Sequence, residues 1–361
     1  MSNTQPIEVI IVGAGPIGIE LAVALKRRAL AFELLEAGSV GATIGWYAPG
    51  TTFFSSPENI AIAGYPLETP NQAKATREEY LQHLRGVLRA EEIPVSTNRE
   101  VTAIVRCTDG YQVTVRSSSY GFGDPRRPKE VPLVGGQTIF HAKRVVLAIG
   151  DMHRPRRLGI PGEDLAHVSH YLSDPHTYFG RRVLIVGGKN SAVEAAIRLN
   201  RVGARVTISH RHPTLAASIK YWLRPELEGL IRRGAIKYLP NTTLTEITPT
   251  LVTLQDSTAT LSTLEADWVL LLTGYEQDGS LFSKCGILLE GDSKRPCFDP
   301  HTMETNVPGI YIAGTAVAGS QKRHVEFIET AHIHVERIVR HICGEPPPQE
   351  ESRKNIENLE S

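Results

Sequence analysis

A chain of 361 residues with 41% hydrophobic composition and a formal net charge of zero has apolar matter enough for two packed domains. The neutral balance argues against an electrostatic nucleic-acid binder, and no apolar run approaches the length of a membrane span. No signal-peptide pattern precedes the first strand, and the four cysteines (Cys107, Cys285, Cys297, Cys343) make no CxxC pair, so a cytoplasmic protein with free thiols and no metal site is expected.

Strand and helix signals alternate in chain order, the pattern of α/β units with parallel sheets. "EVIIV" (8–12) reads as a buried strand, a helix follows over 17–30, and "AFELLE" (31–36) is the next strand. Lys26, Arg27 and Arg28 suit the helix C-terminus, where the backbone dipole is negative. Residues 75–93 have helical periodicity. Residues 99–149 read as strands broken by "SSSYGFGDPRRP" (117–128), a surface hairpin or insertion, and they end in "KRVVLAIG" (143–150). The pattern restarts at "RVLIV" (182–186), with a helix over 192–201 and a strand "RVTIS" (205–209). "ADWVLLLTG" (266–274) echoes "KRVVLAIG". "NVPGIYIAGT" (306–315) is another strand and turn, followed by a helix to about 342. The polar, proline-interrupted end reads as a mobile tail.

Gly13, Gly15 and Gly18 form G-x-G-x-x-G between a strand and a helix, and Glu36 closes the second strand 23 residues after Gly13. The glycines permit a tight turn, close approach of a pyrophosphate and close helix packing, and the carboxylate accepts ribose hydroxyls. Gly187, Gly188 and Ala192 repeat the turn, but Lys189 stands where the second glycine is expected. That lysine either sets a cation beside the pyrophosphate or extends into water. At the place of the closing acid stand His210, Arg211 and His212. A carboxylate there would repel a 2′-phosphate, whereas Arg211 can pair with it, which predicts NADPH at the second site; the alternative is a solvated surface turn. A resident FAD at the first turn and an exchanging NADPH at the second make a hydride relay. The fold class is therefore α/β with two Rossmann-like dinucleotide-binding domains. An FAD domain (1–165 and 268–345) is interrupted by an NADPH domain (166–267), with a tail at 346–361.

The chain resembles the thioredoxin-reductase-like flavoproteins with two dinucleotide-binding domains, and within them the bacillithiol disulfide reductase (YpdA-type) family. The resemblance runs to about residue 343. It rests on "GAGPIG" (13–18), "TTFFSSPENIAIAGYPL" (51–67), "TREEYLQHLR" (76–85), "VVLAIGD" (145–151) and "IPGEDLAHVSHY" (160–171). It continues through "GGKNSAVEAAIRL" (187–199), "SIKYWLRPELEGLI" (218–231), "GIYIAG" (309–314) and "FIE" (327–329). "TFFSSPE" and "SIKYWLRPELE" are its specific segments. The resemblance implies an NADPH-consuming FAD reductase acting on a small disulfide, and a homodimer. FAD contacts then come from Gly13, Gly15, Gly18, Glu36, the backbone near Val101, Gly150 and Gly314. NADPH contacts come from Gly188, Lys189, Asn190, Ser191, Ala192, His210 and Arg211. Pro16, Ile17, Ala37, Gly274 and Thr315, beside these turns, complete the set with Trp46, which either stacks near the flavin or packs between domains.

The departures concern chemistry. Ile17 occupies the place of the family's redox-active cysteine, and Thr315 that of a superfamily aspartate. Lys220, Tyr221 and Trp222 either line an entry to the NADPH side or pack in the core. His324, His332 and His334 ride on the last helix, near Glu326 and Glu329, and a His332–Glu329 pair (i, i+3) is the candidate proton source. Alternatives to a disulfide acceptor are a flavin monooxygenase, a ferredoxin or protein-partner reductase, and a cofactor-binding sensor without turnover.

Overall fold

The computed structural model describes residues 7–118, 136–321 and 325–348. Most of the expected insertion at 117–128, His324 and most of the expected tail lie outside them.

In the first domain β1 (Ile7–Val12) runs parallel to β2 (Phe32–Leu35) and to the C-terminal half of β5 (Gln137–Leu147). Val9, Ile10 and Ile11 are fully buried, as a strand covered on both faces requires. Helix α1 (Pro16–Arg27) joins β1 to β2; it opens on a proline and ends on Lys26 and Arg27. Helix α2 (Arg77–Ala90) starts from a capping box in which Glu79 N–H bonds Thr76 Oγ1 and Thr76 N–H bonds the Glu79 carboxylate. Strands β3 (Arg99–Cys107) and β4 (Gly110–Ser117) form an antiparallel meander with the N-terminal half of β5. The strand expected at 143–150 thus begins earlier. Its outer half is largely exposed on the meander, and its inner half, Val145 to Leu147, is buried in the parallel sheet.

The second domain repeats the unit. β6 (Arg182–Val186), α3 (Asn190–Arg201) and β7 (Arg205–His210) are followed by α4 (Leu223–Arg232), β8 (Ile236–Pro240) and an antiparallel ribbon over 242–265. β9 (Trp268–Leu271) then pairs with β6 as β5 pairs with β1. β9 therefore belongs to the second sheet, and that sheet reaches past the boundary expected at 267. One core packs α3 and α4 on the sheet; another, around Leu184, Leu244, Val252 and Val269, lies under the ribbon.

The chain leaves the first domain through Arg154–Pro155 and returns through Tyr275–Glu276, and these two stretches pair antiparallel. β10 (Ile310–Ile312) then joins the free edge of β5, and α5 (Ile328–Ile342) packs beside α1. Among the described residues no helix is long and apolar enough to cross a membrane.

Candidate active site

The two glycine turns have one backbone frame. Gly13 N–H bonds Leu35 C=O at 2.7 Å, and Gly187 N–H bonds Ser209 C=O at 3.1 Å. Ala148 N–H bonds Val12 C=O, and Leu272 N–H bonds Val186 C=O, both at 2.9 Å. At Gly13 (φ +109°) a β-carbon would fall 2.5 Å from Ala148 O, and at Gly187 (φ +151°) 2.6 Å from Leu272 O. Both turns therefore tolerate only glycine at their first position.

The later positions differ. A β-carbon on Gly15 would meet nothing within 4 Å, whereas one on Gly18 would lie 1.9 Å from Gly13 O. Open space over Gly15 at the start of α1 is the cradle that a dinucleotide pyrophosphate fills. In the second turn Lys189, extended at φ −112°, holds the Gly15 position as the residue before α3, so its side chain borders that cradle. The carboxylate of Glu36 is buried and accepts Ala14 N–H at 2.8 Å and Gly38 N–H at 2.7 Å. Burial raises its pKa and these two bonds oppose the rise. The residues present fit FAD at the first turn.

At the second strand end the imidazole of His210 lies against the turn: a β-carbon on Gly188 would fall 2.3 Å from its Nε2. Glycine at 188 is thus demanded by a histidine in the next strand. Burial, and then the neighbouring His212 and Arg211, lower the pKa of His210. His210 is therefore a neutral wall at pH 7, and Arg211 carries the charge, its Nε donating to His212 Nε2 at 3.2 Å. The residues fit a 2′-phosphorylated dinucleotide. Asn190 also anchors a neighbouring loop, since its Oδ1 accepts Lys220 N–H at 2.9 Å and so ties the 218–220 stretch to the start of α3.

Both turns open on one cleft of about 4850 Å³, lined among others by Pro16, Ile17, Ala37, Val101, Gly150, Ser191, Gly274, Gly314 and Thr315. The segments "TFFSSPE" and "SIKYWLRPELE" meet across its mouth. Lys220 Nζ lies 4.9 Å from the Phe54 ring, and Lys74 Nζ 4.1 Å from that of Trp222, with Tyr221 largely exposed beside them. Arg198 on α3 also reaches the first domain, donating to Thr51 Oγ1 at 2.9 Å. Trp46 packs edge-on against Tyr171 of the second domain at 6.3 Å, so it serves the contact between domains while lining the cleft.

His332 lies at the cleft wall, but its acid is Glu20 on α1 and not Glu329. Nδ1 bonds Glu20 Oε2 at 2.7 Å, and Nε2 bonds Asn59 C=O at 3.0 Å. Both acceptors require N–H donors, so the ring is held doubly protonated, and the Glu20 bond raises its pKa. With both protons engaged, the ring staples α1, α5 and the 59–63 loop. The i, i+3 rule missed this because the partner sits 312 positions away. His334 is buried, and its Nδ1 accepts Gly314 N–H at 3.2 Å, fixing the last turn of the site. Sequence reasoning also missed Asp151, buried in the cleft and bonded by Gln321 Nε2 at 2.9 Å. No local signal marks either contact.

The four cysteines are free, and none is among the residues lining the cleft. Burial pushes the Cys285 thiol up to about 11. Ile17 is buried against the final turn, with its Cβ 3.5 Å from where a Gly314 side chain would begin.

Residues 10–121 and 134–314 match the model of the pyridine nucleotide-disulphide oxidoreductases. The chain belongs to this family. It is an oxidoreductase, and family membership implies the use of FAD and NADPH. Bacilliredoxin reductase Bdr of Bacillus subtilis is 33% identical over 334 residues, which are 92% of this chain and 97% of that protein. The structure of bacillithiol disulfide reductase Bdr (YpdA) from Bacillus cereus superposes with a TM-score of 0.85 at 33% identity, covering 94% of this chain and 99% of that one. A ferredoxin–NADP reductase of Ignicoccus hospitalis is 28% identical over 315 residues, 85% of this chain and 89% of its own. The family's two-domain dinucleotide architecture is the one built here.

Proposed function

We propose that the protein is an NADPH-dependent FAD reductase of a low-molecular-weight thiol disulfide, with bacillithiol disulfide as the leading acceptor. What carries the reading is the opposition of Glu36 and Arg211 at two equivalent strand ends that face one cleft. A buried carboxylate selects a ribose with free hydroxyls, and a guanidinium selects one bearing a phosphate. The choice of acceptor rests on the likeness to bacillithiol disulfide reductase over nearly the whole chain.

Bound FAD supplies the two-electron chemistry, accepting a hydride from NADPH and delivering electrons onward. The chain's own part is positional. The N-termini of α1 and α3 would receive the two pyrophosphates, Arg211 would hold the 2′-phosphate, and Trp46 and Tyr171, packed edge-on across the domain joint, would keep water from the cleft there.

A second reading, reduction of ferredoxin or another protein, is favoured by one observation: no thiol lines the cleft, and Ile17 takes the place of the relay cysteine. Anaerobic reduction by NADPH followed by bacillithiol disulfide, coenzyme A disulfide, cystine, thioredoxin, ferredoxin and oxygen separates the two. Turnover of the first and not of ferredoxin is expected, and it should survive alkylation of all four cysteines; the reverse preference overturns the reading. Arg211→Ala should raise the KM for NADPH roughly tenfold or more and leave that for NADH unchanged.

A further inference from the structure

The two ends of the cleft differ in charge. Its mouth carries Lys189, Arg211 and Lys220, suited to phosphates. Its floor, at the joint of the domains, carries aromatic rings and carboxylates, and the arginines there, Arg154 and Arg156, are paired with Asp278 and Glu276. Tyr171 and Tyr275 lie ring to ring at 5.6 Å, Trp46 stands edge-on to Tyr171, and Tyr47 lines the same wall. Two further carboxylates share this floor. Glu194 is matched by Arg198 at 3.7 Å. Asp151 is 8% exposed and bonded at Oδ2 by the neutral amide of Gln321. Among the described residues no cation pairs with Asp151 and no donor reaches its Oδ1. Burial pushes the Tyr275 hydroxyl up to about 12, and burial, then Tyr275, Asp151 and Glu194, push that of Tyr47 up as well, so both stay neutral and cannot compete for a cation.

A buried carboxylate without a counter-charge is costly, and the cost falls when a ligand supplies one. Aromatic faces around it add cation–π attraction for an ammonium. We propose that Asp151 and the Tyr47, Tyr171, Tyr275 and Trp46 walls form a recognition site for the ammonium group of an amine-bearing acceptor. This rests on the disulfide reading above and narrows it. Disulfides with a primary amine near the sulfur pair are preferred over amine-free ones of equal length.

The test is calorimetric binding to the oxidised, FAD-loaded protein. Cystamine is compared with bis(2-hydroxyethyl) disulfide, which replaces each ammonium by a hydroxyl, and with 1,6-diaminohexane, which replaces the sulfurs by carbon. The wild type should bind cystamine roughly tenfold or more tighter than the hydroxyl compound. Asp151→Asn should abolish that preference, Asp151→Glu should restore part of it, and the Kd for NADP⁺ should stay within about twofold. No preference in the wild type, or a preference that survives in Asp151→Asn, overturns the proposal. So does a loss confined to NADP⁺, which would make the oxidised nicotinamide the cation that is read. Diaminohexane binding that depends on Asp151, in a protein that turns over no disulfide, upholds the ammonium site while the acceptor reading fails.

Discussion

The two glycine turns share a backbone and differ in what they admit. Equivalent hydrogen bonds fix Gly13 to Leu35 and Gly187 to Ser209, so the frame is set by strand pairing alone. Selectivity comes from a few side chains laid on that frame. The first turn is open over Gly15 and closed by a buried acid. The second carries Lys189 at the equivalent place and a histidine wall with an arginine beside it. Ala192 in place of Gly18 tells the same story: its methyl lies 3.0 Å from where a Gly187 side chain would start, so α3 stands slightly further from its turn than α1 does.

The two turns diverge most at Gly18. A valine there sets a β-carbon 1.9 Å from Gly13 O, costing about 3 kcal/mol or more through overpacking. Gly18→Val protein should be purified without yellow colour, while its second domain still binds NADPH in a calorimetric titration. The corresponding Ala192→Gly change should leave both cofactors bound. Next in size is Gly188→Ala, which drives a methyl into His210 and should lower stability by roughly 1–3 kcal/mol and weaken NADPH binding. Adding His210→Ala should recover much of the loss, a non-additivity readable in denaturant melts of single and double variants. Additive losses would remove the histidine as the reason for the glycine.

The two domains should also respond to pH in opposite directions. His332 has a raised pKa when folded, so its staple stabilises the first domain fully below the ordinary histidine value and fades as pH rises through the folded one. His210 has a lowered pKa, so its contribution to the second domain holds above the ordinary value and fades as pH falls toward the folded one. Intrinsic-rate-corrected hydrogen exchange at pH 8 and pH 6 should show the 59–63 loop tightening on acidification while the 187–190 turn loosens. Parallel changes in both would contradict the assigned protonation states.

The frame is legible in the sequence and the wall chemistry is not, for a physical reason. Glycine spacing, strand-end residues and the echo of "KRVVLAIG" in "ADWVLLLTG" are local signals, because tight turns and strand pairing act over short stretches. Gly188 facing His210, Glu20 facing His332 and Asp151 facing Gln321 are set by which surfaces the completed sheets bring together. The helical spacing rule offers Glu329 for His332 because it sees only one helix. A boundary at 267 cuts the second domain short because β9 is recognisable as an apolar strand but its partner is not written beside it.

The antiparallel crossing at Arg154–Pro155 and Tyr275–Glu276 has a consequence for synthesis. On the ribosome everything from Val168 to Gly274 emerges before β10, whose place is against β5. The inserted unit holds all its own strands and can close while the nascent chain is still growing. The host sheet must wait with the edge of β5 unpaired until residues 310–312 arrive. Translation order and completion order are therefore inverted, and the cleft wall that includes the Gly314 turn is finished after the inserted unit is already built.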